Sequence, residues 1–357
     1  MIDPPAKRRG AGLDPHNRFE RLQIIADHDQ RDPDDDVPVR IVPTEFFIDQ
    51  SRTVVATNDS PDVGFNYSLN TYRGCEHGCS YCYARPGHEY LGMSAGLDFE
   101  TRILVKPDAP RLLREFLKKP GWQADHICLS GVTDPYQPIE RKLKLTRACL
   151  EVMLEFNQPV GIVTKGALIA RDVDILKQLA ARRLVQVRIA VTTLDDDLQR
   201  EMEPRAASPK RRLAAMKTLS DAGVPVSLLL APLIPGLTDN EVPEILRAAA
   251  EHGAKEAYYV LLRLPGAVRE VFLEWVDRLH PLQRSRIEAA VRSIRSGNLN
   301  ATAFKERMSG KGERADQIRQ LFNVFKKRYG LDGSLPPFDR TLFRVPPDED
   351  GQGRLFD

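Results

Sequence analysis

Between about residues 45 and 280, short apolar runs alternate with segments whose apolar residues recur at helical spacing. That alternation limits the fold more than any other feature of the chain. The runs at 68–72, 126–130, 160–164, 185–192, 226–232 and 256–262 read as strands. Helical patterns separate them. Leu145, Cys149, Val152 and Phe156 share one apolar face, which makes Cys149 a core residue. Ser208-Pro209 opens a helix that Asp221-Ala222-Gly223 stops, and Thr238 with Glu241 spells a capping box before a helix closed by Gly253. Strand–helix–strand repeats of this kind need crossover connections, so the strands lie parallel in one sheet. Six β/α units of the α/β class, in an open or closed barrel, are predicted.

In such a barrel, reacting groups gather where strands end and loops begin. Directly after the first predicted strand comes Arg73-Gly74-Cys75-Glu76-His77-Gly78-Cys79-Ser80-Tyr81-Cys82-Tyr83, with three cysteines in eight residues and no fourth nearby. Cys at i, i+4 and i+7 would also line one face of a helix, but Gly74, Gly78 and Arg85-Pro86-Gly87 favour a loop, and Glu76, His77 and Ser80 are too polar for a buried stripe. Fully protein-ligated iron–sulfur clusters take four thiolates, so a 4Fe-4S cluster on three leaves one iron open to a small molecule. Zinc, with His77 as a fourth ligand, is the rival, although zinc sites usually add a second distant knuckle. A non-enzymatic zinc or redox-sensing role goes with that rival. The other predicted strands also end in polar groups: Thr133-Asp134, Thr164-Lys165-Gly166 and Thr192-Thr193, followed by the apolar exit Ala231-Pro232-Leu233-Ile234-Pro235-Gly236.

Five cysteines, an odd number, and a first forty residues without an apolar run of signal-peptide length predict a reducing, cytoplasmic setting. No stretch is long and apolar enough to span a membrane, and a monomer is expected. The net charge of +2 gives no global attraction to nucleic acid. Residues 1–45, with Lys7-Arg8-Arg9 and an Asp32-Pro33-Asp34-Asp35-Asp36 run, read as a mobile charged arm, and 46–280 as the catalytic barrel. Residues 281–334 form a helical, basic C-terminal segment, and 335–357 a Pro-rich tail that is loose or a docking peptide. From 305 to 328, Lys305, Arg307, Lys311, Arg314, Arg319, Lys326, Lys327 and Arg328 stand against Glu306, Glu313 and Asp316. Phosphate contact is one reading of that stretch. A solvated helix packed over the barrel's open side through Ile318, Leu321, Phe322 and Phe325 is the other, and the two are compatible.

Cys75-x3-Cys79-x-Tyr81-Cys82 resembles the radical S-adenosylmethionine superfamily. Thr133-Asp134, Val163-Thr164-Lys165, Glu203-Pro204, Ser208-Pro209, Arg212-Leu213 and 231–236 are similar to the branch grouped with spore photoproduct lyase, and to a DNA repair photolyase-like subfamily of unknown substrate. The resemblance implies a partial (β/α)6 TIM-type barrel and a 4Fe-4S cluster on Cys75, Cys79 and Cys82. It further implies S-adenosylmethionine on the open iron, cleaved by one electron to methionine and a 5'-deoxyadenosyl radical that abstracts a substrate hydrogen. A reductant such as flavodoxin or ferredoxin would supply that electron. By position, Lys165 would pair with the methionine carboxylate, Thr133, Asp134 and Thr192 would serve the amino group and ribose, and Tyr81, Ile234 and Gly236 would border the adenine. The substrate is a nucleic acid or nucleobase lesion, or else a small molecule or protein side chain. Where the lyases carry a hydrogen-returning Cys this chain has Gly131, which argues against thymine-dimer reversal by that route. Cys128 reads as buried and Tyr136 as a packing plug or alternative donor. Cys128 and Cys149 are too few for an auxiliary cluster, which argues against methylthiolation and sulfur insertion.

Overall fold

The computed structural model describes residues 7–20 and 41–347. Its strands are β1 (Glu45–Ile48), β2 (Val55–Thr57), β3 (Tyr67–Leu69), β4 (Tyr72–Arg73), β5 (Arg102–Val105), β6 (Ile127–Leu129), β7 (Val160–Thr164), β8 (Val185–Ala190), β9 (Val226–Leu233) and β10 (Glu256–Leu261). Seven form one sheet in the order β2-β3-β6-β7-β8-β9-β10. From β3 to β10 each strand lies parallel to its neighbour, β2 is the antiparallel edge, and the sheet does not close. This is the expected open, partial TIM-type barrel of six β/α units.

Strand alternation sorts the side chains. In β8, Val185, Val187 and Ile189 enter the core between sheet and helices, so Gln186 and Arg188 take the inner face. Opposite them pack Leu150, Met153 and Phe156 of the helix Leu145–Phe156 and Leu176 and Leu179 of Val173–Ala181. Met216 and Leu219 of Pro209–Asp221 and Ile245 and Leu246 of Val242–Glu251 continue this layer. Each such side chain contributes roughly 1.5–3 kcal/mol of transfer free energy. Cys149 is fully buried in this layer, as its helical spacing predicts. Cys128 is buried too, but between Ile127 and Leu129, which face the helices, and therefore on the inner face.

Several local expectations are corrected. The first predicted strand is two pieces: β3 ends at Leu69, and β4 belongs to a second sheet of order β1-β5-β4 that sequence periodicity missed. The cysteine loop thus leaves from β4. The Thr238/Glu241 pair makes no capping box. The Thr238 hydroxyl accepts the Ile234 N–H at 3.0 Å, while the Glu241 carboxylate accepts from the Thr193 hydroxyl and Leu194 N–H at 2.6 and 2.7 Å. Glu241 therefore ties the exit of β8 to the helix after β9 instead of capping its own.

The ends of the chain are packed where they are described. Contrary to a free charged arm, Arg9, Ala11 and Asn17 are buried. The acidic run at 32–36 lies outside the described residues. Contrary to a loose tail, residues 335–344 run beneath the barrel: Leu335 N–H donates to Glu256 at 2.8 Å, Pro336 O accepts from Gln186 at 2.9 Å, and Phe338 stacks on His126 at 4.8 Å. These contacts fall at the N-terminal ends of β10, β8 and β6. Leu331 O accepts the Ala257 N–H at 3.2 Å, and Asp332 bridges Glu256, so this segment covers the otherwise free edge of β10. The helix Glu313–Arg328 buries Ile318 and Phe322 beside Tyr259 of β10, as its apolar spacing predicts.

Candidate active site

The loop after β4 bends where two glycines adopt left-handed backbone, Gly74 at φ 79° and Gly78 at φ 66°. A Cβ on Gly78 would lie 2.3 Å from a Glu100 carboxylate oxygen, and one on Gly74 2.8 Å from the Phe99 carbonyl oxygen. Backbone bonds fix the loop from several sides. Cys75 N–H donates to Phe99 O at 2.9 Å, Ser80 N–H to Met202 O at 3.0 Å, and Arg205 N–H to His77 O at 3.3 Å. The Thr133 hydroxyl donates to Gly74 O, and Gln137 holds both Thr133 and the Glu76 N–H. From behind, Arg85, fully buried, donates to Cys79 O at 3.0 Å and pairs with buried Glu100 at 2.9 Å.

Cys75 and Cys79 are buried and Cys82 half-buried. Burial pushes all three thiols above their ordinary pKa, and the Cys75 thiol is raised further by Asp134, Cys79 and Cys82. Such thiols stay protonated until a cation compensates them. Among the described residues no three His, Cys, Asp or Glu side chains converge tightly enough to hold one metal ion. The Cys75 thiol feels both of the others electrostatically, so the three share one neighbourhood. His77, the candidate fourth zinc ligand, is buried with Nδ1 3.5 Å from Asp134. The Ser80 hydroxyl beside Cys79 is buried with no hydrogen-bond partner among the described residues.

Next to the loop, the structure gathers Tyr81, Lys165, Thr192 and Ile234. Ile234 shares an apolar cluster with Cys79 and Tyr81. Lys165 Nζ donates to Ala231 O at 3.1 Å and stands 5.7 Å from the Tyr81 ring centre. The Thr192 hydroxyl lies 3.3 Å from the same carbonyl and 3.0 Å from Glu203. Tyr81, itself buried, donates its phenol to Glu203, which pairs with Arg212, and the pair is fully buried. Burial would raise the Glu203 carboxyl, yet Arg212 and Lys165 overcome it and hold the pKa at about 2. The Glu203–Arg212 pair went unassigned in the sequence, where Glu-Pro and an Arg nine residues on carried no role of their own.

The other predicted residues are placed differently. Asp134 accepts from Thr164 Oγ1 at 2.6 Å, Lys165 N at 2.7 Å and Tyr136 N at 2.8 Å, which knits the exits of β6 and β7 together. Thr133 anchors the loop, as above. Gly236 lies beside the helix Arg284–Ser293, where an added Cβ would be 3.1 Å from Ala290, at the edge of the group. Tyr136 is buried within the main core.

An open (β/α)6 barrel whose C-terminal rim carries a three-thiol loop defines a class. Residues 69–249 match the radical SAM superfamily, and the chain belongs to it. The chain is 35% identical over 236 residues to an uncharacterised protein of Mycobacterium tuberculosis (strain H37Rv), covering 65% of this chain and 69% of that one. It is 31% identical over 184 residues to an uncharacterised protein of Methanocaldococcus jannaschii, covering 52% and 66%. Among solved structures, spore photoproduct lyase complexed with dinucleoside spore photoproduct superposes with a TM-score of 0.58 at 15% identity, covering 80% of this chain and 79% of that one. That likeness is one of fold. The chain is an enzyme of the superfamily, and no helix among its described residues is long and apolar enough to cross a membrane.

Proposed function

We propose that Cys75, Cys79 and Cys82 hold a 4Fe-4S cluster with S-adenosylmethionine on its open iron, and that the chain abstracts hydrogen from a nucleic-acid component at the barrel mouth. When bound, this pair supplies one-electron cleavage of the sulfonium C–S bond to methionine and a 5'-deoxyadenosyl radical. The observation that carries the reading is the loop itself: three coupled thiols without a fourth, at the C-terminal rim of the sheet.

The chain's own residues then have distinct tasks. Lys165, whose ammonium has one backbone acceptor, supplies a point charge for a carboxylate. Thr192 offers a hydroxyl whose orientation Glu203 and Ala231 O fix, and Ile234 and Tyr81 form an apolar wall that excludes water. Thr133 and Asp134 act by holding the loop and the Lys165 backbone in place. Gly236 leaves room at the edge of the wall. A flavodoxin- or ferredoxin-type carrier in a reducing cytoplasm supplies the electron.

The substrate class rests on the mouth beside Cys82. Tyr83 and Phe304 are 52% and 55% exposed. The Arg263 guanidinium stands 5.7 Å from the Tyr83 ring centre, and that of Arg307 4.5 Å from the Phe304 ring centre. The two cations repel each other with Asp62 as their shared carboxylate. Rings interleaved with cations suit stacked bases and their phosphates. The dinucleoside bound by the structurally similar lyase supports the same choice.

The test is anaerobic reconstitution with iron and sulfide, reduction by dithionite, and quantification of 5'-deoxyadenosine with and without an oligothymidylate. Cysteine-dependent deoxyadenosine that rises with the oligonucleotide is expected. Deoxyadenosine indifferent to nucleic acid would shift the substrate to a small molecule or protein side chain. Zinc in place of iron in protein purified from cells would end the radical reading.

A further inference from the structure

Beside the segment that crosses the cysteine loop lies a concavity of about 370 Å³ lined by Lys7, Arg8, Arg9, Arg200, Arg278 and Glu201, with Pro204 and Leu279. Five cations and one carboxylate line it, with Arg9 buried and turned to Glu100 O, Val42 O and Thr44. Lys7 and Arg8 are exposed and pair with no carboxylate among the described residues. Among the described residues Arg200 pairs with Asp197 one turn away, Arg278 with Glu274 at 2.7 Å, and Glu201 with His280 at 2.8 Å. Even with Asp197 and Glu274 counted, cations remain in excess. Arg9 and Arg278 bond within the fold, whereas Lys7, Arg8 and Arg200 crowd like charge at its surface, which costs self-repulsion.

The floor of this concavity is the segment that crosses the cysteine loop. Arg9 donates to Glu100 O at 2.9 Å and Val42 O at 2.7 Å, and the Gly10 and Ala11 N–H groups donate to the Glu100 carboxylate at 3.0 and 2.9 Å. Arg278 donates to Gly10 O at 3.2 Å. Gly10 packs so closely that an added Cβ would lie 1.7 Å from Gly78 O, between Cys75 and Cys79. One layer of backbone therefore separates the basic surface from the loop.

We propose that this basic concavity docks an acidic one-electron carrier protein, so that the electron enters the cysteine loop across the segment around Gly10. The inference rests on the radical reading of the loop. In the step it serves, a flavin hydroquinone is oxidised to the semiquinone and a 4Fe-4S cluster is reduced from the 2+ to the 1+ state, with no other bond made or broken. Charge complementarity of this kind sets association rate and orientation more than it sets area-based affinity.

The experiment titrates the full-length reconstituted protein with an acidic flavodoxin by calorimetry at low and high salt. Lys7→Glu/Arg8→Glu/Arg200→Glu is compared with wild type and with the charge-keeping Lys7→Arg/Arg8→Lys/Arg200→Lys. Affinity should fall at least about tenfold in the reversed variant and stay near wild type in the conservative one. Dithionite-driven deoxyadenosine formation should be equal in all three, because these residues touch neither loop nor mouth. Flavodoxin affinity unchanged by the reversal overturns the proposal, as does loss of oligothymidylate binding with flavodoxin binding intact, which would mark a phosphate site. Failure of the radical reading is separately visible: wild type would then give no deoxyadenosine even with dithionite, while the titration still reports on the surface.

Discussion

Glu203 and Arg212 form an ion pair with both side chains fully buried, so removing one partner strands the other in a low-dielectric site. Glu203→Gln is expected to cost about 3–5 kcal/mol, read from urea unfolding. The pH dependence follows from the depressed pKa. The carboxyl titrates at about 2 in the fold and near 4.5 when unfolded, so its contribution is complete above about 4.5 and is lost as pH falls toward 2. Wild type should lose stability through that window, and Glu203→Gln should lose less of it. Cys79 poses the opposite case, because the role proposed for it is a ligand's and it sits outside the main core. Cys79→Ala should abolish bound iron and deoxyadenosine while far-UV circular dichroism stays unchanged, because the main core lies between sheet and helices. A full iron complement in that variant would refute the assignment. Gly10 shows how one residue can be set by a neighbour far along the chain. A methyl there meets Gly78 O, and Gly10→Ala should cost about 1–3 kcal/mol and speed proteolysis near residue 9.

At the scale of elements, period and punctuation located the barrel strands well. β7 spans 160–164 as its pattern predicts, and β8, β9 and β10 differ from expectation by two residues or fewer at each end. What periodicity missed has no period. β4 is two residues long and β1 is largely exposed, so neither presents an apolar alternation. Ser208 and Thr238 read as helix caps, yet neither side chain caps in the fold: the Thr238 hydroxyl accepts the Ile234 N–H, and Glu241 accepts across the rim from Thr193 and Leu194. Coverage of β10 by residues 331–332 was equally illegible, since edge pairing depends on where the chain returns. Truncation before Leu331 removes that cover and should produce concentration-dependent aggregation, measured by light scattering.

For the whole molecule, cations of the helix Glu313–Arg328 are engaged within the fold, and Arg307 before it pairs with Asp62 at the mouth. Arg314 pairs with Asp239 at 2.8 Å, Arg319 with Asp316 at 2.9 Å, and Lys326 lies over Tyr258. Nucleic acid held at the mouth by Arg263 and Arg307 alone neutralises two phosphates, so log affinity should fall against log salt with a slope of about −1.4 for a single strand. A slope several times steeper would return the contact to the helix. By itself, the sequence determined the α/β repeat, the six parallel units and the three-thiol loop, because apolar period and ligand spacing are local properties. Only the tertiary structure decided that Thr133 and Asp134 support the loop, that Glu203 and Arg212 underlie Tyr81, and that residues 9–12 close its back. Those assignments depend on which groups, tens to hundreds of residues apart, must satisfy one another's charge and hydrogen bonds once water is excluded.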